Sequence, residues 1–306
     1  MLTEQNETQQ AGAICTPISF YKYMTSSTAK VVLENQTLRW TTPSTLNDPY
    51  DIQFNLAIDF DRAKVLELAL EKSWEVYSGE YQVVAGSQIA STIGILRSSC
   101  PNMDKEFFYN HLSKGFLEAF EHIESRIADV WKSSRMSLST SKILCLTDSP
   151  LNQLMWAYYA DGNKGAVLQF RNSDEGSPYS EAKPVRYKKS IPSLFSEDEL
   201  SDFLSGRITF SARKRIDDLV YTKSEAWAHE SEWRIFAGDG RNKQAPHEDV
   251  TFAQNELTAV ILGCRMPETE RCALAELTRR LYPDAEIFQT CTIDHKYELK
   301  LKKYAY

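Results

Sequence analysis

The sequence of 306 residues is poor in the residues that bend or cross-link a chain, with 12 Gly, 11 Pro and six Cys. So little Gly and Pro excludes collagen-like and low-complexity chains. The cysteines, Cys15, Cys100, Cys145, Cys264, Cys272 and Cys291, form no CxxC or CxxH pair, which leaves no disulfide framework and no zinc-ligand spacing. They read as reduced thiols of a cytoplasmic protein. Long apolar runs are missing as well: none approaches the ~18 to 20 residues of a membrane span, and Met1 to Gln10 lacks the basic and apolar regions of a secretory signal. No Walker loop, GxGxxG, HExxH or GxSxG occurs, and the five histidines are widely spaced, so no metal is expected. His111 and His122 lie on one predicted helix and read as solvent-facing.

What is present is a globular composition: 42% hydrophobic, 25% charged and 11% aromatic, with a net charge of −7 that argues against general phosphate-neutralising nucleic-acid binding. No internal repeat is found. Residues 1–17 read as a polar tail, and residues 18–306 as a single α+β domain with a helical insertion around 61–135. Ile18 to Tyr23 is strand-like, Ala29 to Glu34 a short helix and Leu38 to Thr42 a second strand. Thr45 to Asp51 breaks regularity at Pro49, with Asn47 and Asp48 offering side-chain bonds to the backbone.

The middle is helical. Behind Asp61 as a cap, Leu66, Ala69, Leu70, Trp74 and Tyr77 fall at helical intervals; after Asp104 the series Phe108, Leu112, Phe116, Ala119, Ile123, Ile127 and Val130 does so more cleanly. Ser78 to Ser99 is only weakly periodic. Further on, Ile143 to Thr147 is strand-like, and Ser149 with Pro150 signals a helix through Tyr159, ended by Gly162. Gly165 to Phe170 is a strand, and Ser196 has capping-box spacing ahead of Leu200. Strands at Glu232 to Ala237 and Leu257 to Leu262, a helix from Pro267 to Leu281 and a strand near Ala285 to Gln289 complete a mixed, largely antiparallel α+β pattern.

Three segments concentrate polar and aromatic groups. Tyr21, Lys22 and Tyr23 with Arg39, Trp40, Thr41 and Thr42 read either as two neighbouring strands offering side chains to a ligand, with Asn47 to Asp51 at the rim, or as an edge hairpin with a self-bonded Asx turn. Trp156 and Tyr159 share a helix face that ordinary core packing also explains. If Glu230 to Ile235 is a strand, Glu230, Glu232 and Arg234 lie on one side, with Trp233 and Ile235 on the other. Two sheltered carboxylates at that spacing suit base or electrostatic work; a surface Glu232–Arg234 ion pair is the plainer alternative.

These segments together carry a resemblance. The series Phe20-Tyr21-Lys22-Tyr23, Leu38-Arg39-Trp40-Thr41-Thr42-Pro43, Leu46-Asn47-Asp48-Pro49-Tyr50-Asp51, Cys145-Leu146-Thr147-Asp148, Met155-Trp156-Ala157-Tyr158-Tyr159-Ala160-Asp161 and Trp227 to Arg234 resembles the DUF2971 family of bacterial proteins, from about Ser19 to Val260. The order of motifs is also similar to that of ADP-ribosyltransferases, which implies a sheet core of that kind and NAD as substrate. Under that resemblance Glu232 is catalytic, Glu230 orients a macromolecular acceptor (protein or nucleic acid), and Tyr21, Lys22, Tyr23, Thr41 and Trp156 line the NAD cleft. Lys22 stands where related openings carry His, a departure from the pattern. The activity so implied is ADP-ribosyl transfer or NAD hydrolysis in a bacterial stress or phage-defence system. The rival is a non-catalytic binding or sensing module on the same fold, and a third reading is a metal-dependent nuclease using Asp48, Asp51 and Glu232.

Overall fold

A computed structural model describes residues 16–81, 86–172 and 176–305. Most of the tail expected at residues 1–17, including Cys15, lies outside the described residues. The chain divides into two compact units: one comprises the residues up to Thr41, Lys142–Val185 and those from Ala226 onward, the other Thr42–Ser141 and Arg186–Glu225.

The first unit is a mixed, mostly antiparallel sheet. Its strands are β1 (Ser19–Met24), β2 (Thr37–Thr41), β3 (Ile143–Thr147), β4 (Ala166–Arg171), β5 (Lys183–Pro184), β8 (Glu232–Phe236), β9 (His247–Thr251), β10 (Leu257–Leu262), β11 (Glu286–Thr292) and β12 (Leu299–Lys303). They run in the order β12-β11-β10-β4-β1-β3-β2-β9, with β8 paired to β3 and β5. Only β10 and β11 are parallel, and the helix α8 (Glu268–Leu281) between them supplies the crossover that a parallel pair needs. The sheet is not evenly knit. β1 pairs with β4 through six residues but with β3 only at Tyr21↔Thr147, and β2 meets β3 only at Thr41↔Ile143. The expectation of β1 and β2 as neighbours, whether binding strands or a hairpin, is therefore corrected: β3 lies between them.

One face of this sheet carries the main core: Phe20, Leu144, Leu146, Leu168, Phe170, Trp233, Ile235 and Val260 are buried there with α1 (Ser26–Asn35) and α8. The other face holds a smaller cluster of Tyr23, Met155, Trp156, Val167 and Ile261, with Tyr21 and Tyr159 packed against it. Period-two alternation along β1 and β4 is what divides the two sets.

The second unit is helical. Asp61 caps α2 (Arg62–Ser78), its carboxylate accepting from Ala63 and Lys64 N–H, and Asp104 caps the 35-residue α4 (Lys105–Ser139) in the same way. The weakly periodic stretch holds α3 (Gln88–Ser99) behind Ser87. Val76, Tyr77, Ile93 and Phe108 form the core between these helices. The unit also has α6 (Glu197–Leu204) behind Ser196, α7 (Ala212–Val220), which carries Arg213 to Arg215, and a parallel pair of short strands, β6 (Arg186–Lys188) and β7 (Thr222–Ser224). Asp48 accepts the Tyr50 N–H at 2.9 Å, so the Asn47–Asp51 segment is a self-bonded Asx turn. No described helix is long and apolar enough to cross a membrane.

Candidate functional site

The site grows from β8. Alternation sends Trp233 and Ile235 into the core, where the Trp233 ring lies 5.5 Å from Phe20 and its indole N–H donates to Asp148 Oδ2 at 3.2 Å. Glu232 and Arg234 then share the opposite face. Arg234 Nε donates to Glu232 Oε1 and Arg234 Nη2 to Glu232 Oε2, both at 2.8 Å. Arg234 is wholly buried and Glu232 is 5% exposed, so this is an interior bidentate pair, and the surface pair considered from the sequence is corrected.

Register fixes what surrounds the pair. Thr147 lies opposite Glu232 and Cys145 opposite Arg234, while Tyr21 lies opposite Thr147. Tyr21, Thr147 and Glu232 thus form one row across β1, β3 and β8, and directly opposed residues project from the same face. Burial, then the charge of Asp148, raises the Tyr21 phenol above its ordinary value; burial, then the charge of Glu232, raises the Cys145 thiol. Both groups are held in their neutral form at neutral pH.

Glu230 is not on the strand. It ends a 3-10 turn over Glu225–Glu230, and Ser231, at φ 44°, turns the chain before β8 begins at Glu232. The expectation of one strand carrying Glu230, Glu232 and Arg234 fails at that left-handed residue. Glu230 is buried all the same and accepts a hydrogen bond from the Tyr159 hydroxyl. Tyr159 closes α5 (Gln153–Tyr158) as its C-cap, and Asn152 opens the helix in place of the expected Ser149. The Asn152 side-chain oxygen accepts from Leu154 and Met155 N–H, and its amide nitrogen donates to the His229 carbonyl. Both ends of this one short helix therefore hold the His229–Glu230 segment.

The remaining residues singled out from the sequence are placed as follows. Trp156 is fully buried, its indole N–H donates to Pro150 O at 2.9 Å, and its ring meets Tyr23 edge-on at 5.4 Å. Tyr23 is also buried; its hydroxyl donates to Ser149 O at 2.9 Å and accepts from Asn152 N–H at 3.2 Å. Both side chains are buried and brace the 149–152 segment.

Lys22 alternates to the side of Phe20 and Met24, and its ammonium donates to the Cys145 carbonyl at 2.6 Å. That carbonyl needs an outside donor. Glu232 turns its own carbonyl to Val185 N–H, away from β3, and the same antiparallel parity turns Cys145 away from β8 toward the sparsely paired β1 side. Thr41 ends β2, opposite Ile143 and His247. Thr147, Cys145 and Asn152 have no site role in the sequence reading, and Arg234 has one only as a surface partner of Glu232. Of these, Asn152 had a readable signal, an Asn just ahead of an apolar helical turn.

Residues 155–235 match the family model of DUF2971, described as a protein of unknown function. That stretch includes β4, β5 and most of α5 and β8, with Tyr159, Glu230, Glu232 and Arg234. Neither the curated proteins nor the solved structures give a match. Among the described residues no three His, Cys, Asp or Glu side chains gather as a metal site.

Proposed function

We propose that the protein cleaves the bond between nicotinamide and ribose in NAD and passes ADP-ribose to a macromolecular acceptor or to water. The observation that carries this reading is the row Tyr21–Thr147–Glu232 on one sheet face, with Glu230 brought close in the chain and held by Tyr159. As the glycosidic bond breaks, its electron pair leaves with nicotinamide and positive charge develops on the ribose carbon. A sheltered carboxylate stabilises that charge. Glu232 is suited to it, because its carboxylate is sheltered in the sheet and held in one orientation by the bidentate Arg234. Glu230 orients the acceptor, whose lone pair forms the new bond to the ribose carbon while its proton passes to the carboxylate or solvent. The neutral hydroxyls of Tyr21 and Thr147 bind the ribose edge.

The experiment is incubation with labelled NAD, alone and with protein, RNA and DNA extracts, reading free nicotinamide and transferred label. Wild type releases nicotinamide, and Glu232→Gln, which keeps the shape, loses the charge and leaves the Arg234 charge uncompensated, abolishes release while still binding NAD, with a thermal melt verifying that the variant is folded. Turnover retained in Glu232→Gln removes Glu232 from the reaction. A second reading, a non-catalytic binding module, is favoured by the engagement of both Glu232 oxygens with a fully buried arginine. Absence of NAD turnover and of NAD binding under all of these conditions decides for it.

A further inference from the structure

Within the helical unit, a cavity of about 200 Å³ is bounded by the turn carrying Tyr50 and Phe54, by the 188–192 loop and by β7. Three lysines, Lys188, Lys189 and Lys223, line it together with Thr222, and among the described residues no acidic side chain does. Lys223 is the unusual member. Its side chain is 4% exposed and pairs at 3.3 Å with Asp51, itself 1% exposed. Burying such a pair is costly, and its effect here is to hold Lys223, a lining residue, in one place. Glu225 lies 3.9 Å from Lys189 with both side chains in solvent, where an ion pair counts for little.

The walls are firmly built. Asp48 accepts the N–H groups of Tyr50 and Asp51 through its side chain and its carbonyl, at 2.9 and 3.0 Å. Ala57 ties down the loop, donating to Pro192 O at 2.8 Å and accepting from Leu194 N–H at 2.7 Å. The space is smaller than the ~300 to 1,000 Å³ of sites for whole drug-sized ligands. It suits a compact, strongly charged group.

We propose that this cavity binds a phosphate group, free or as the phosphomonoester end of a small molecule. Phosphate brings up to two negative charges and several acceptor oxygens to the ammonium groups and the Thr222 hydroxyl. The Tyr50 and Phe54 rings at the same cavity give an organic body a surface to rest on. The proposal is independent of the reading of Glu232.

The test titrates the full chain calorimetrically with inorganic phosphate, with phenyl phosphate and with acetate at matched ionic strength. Lys188→Glu/Lys189→Glu changes only exposed side chains and keeps the fold, which a thermal melt verifies. Asp51→Asn/Lys223→Met removes the buried pair without stranding a charge. Saturable phosphate binding is expected, weakened about tenfold or more in the first variant. Tighter binding of phenyl phosphate assigns the phosphomonoester source, and equal binding assigns free phosphate. Absence of saturable binding by either phosphate, acetate binding equally well, or affinity unchanged in both variants overturns the proposal.

Discussion

Arg234 holds both carboxylate oxygens of Glu232, each at 2.8 Å, from two residues further along the same strand and with no exposure of its own. Removing one partner strands the other's charge in the interior. Arg234→Met is expected to cost roughly 3 to 5 kcal/mol, and Arg234→Met/Glu232→Met to recover most of that loss. Urea unfolding of the two variants checks it; a double variant no more stable than the single one shows that the pair is not the source of the loss.

The hydroxyl of Tyr159 is a donor to a buried carboxylate, Glu230. Tyr159→Phe keeps the ring and removes that donor, so a loss of about 1 to 3 kcal/mol is expected. If Glu230 orients the acceptor, the same variant lowers label transfer more than nicotinamide release into water. Equal effects on the two reactions separate Tyr159 from acceptor binding.

Gly165 follows a turn in which Asp161, Gly162 and Asn163 all have positive φ. A Cβ at Gly165 would stand 2.2 Å from the Met24 carbonyl oxygen and 2.9 Å from the Ala160 Cα, both backbone atoms. Since neither can swing aside, Gly165→Ala is expected to destabilise by about 1 to 3 kcal/mol, read from the shift in the urea midpoint.

High pH tests the buried tyrosines. Burial pushes the Tyr282 phenol up to about 12, and its hydroxyl donates to Leu33 O at 2.8 Å. Burial raises Tyr23 and Tyr179 as well. A folded-state value above the unfolded one means stability present below the unfolded value, about 10, and lost as pH rises through the folded one. Melting temperature is therefore expected to fall above about pH 10 and onward through 12, and Tyr282→Phe to flatten part of that slope. A Tyr282→Phe slope equal to that of wild type assigns the alkaline loss to other groups.

Much of the secondary structure was legible because its signals are local. Asp61, Asp104 and Ser196 start helices through bonds to N–H groups two or three residues away, and Leu257–Leu262 is a short apolar run of strand length. Among the elements the reading lacked, β9 and β12 are the polar segments His247–Thr251 and Leu299–Lys303. They are strands only because β2 and β11 offer them a partner edge.

For the site, the sequence by itself determined that Trp233 and Glu232 face opposite ways, since neighbouring residues on a strand must alternate. It also supplied the close pair of carboxylates. Where those carboxylates sit was decided elsewhere. Ser231 adopts a left-handed conformation that breaks the alternation between Glu230 and Glu232, and Tyr159, 71 residues earlier, provides the partner that holds Glu230 in its buried place. Thr147 and Tyr21 join Glu232 only through strand register, which no local pattern encodes. Lys22 carries the same lesson: alternation and a distant carbonyl in a sparsely paired part of the sheet, not the chemistry of its neighbours in sequence, set where its ammonium goes.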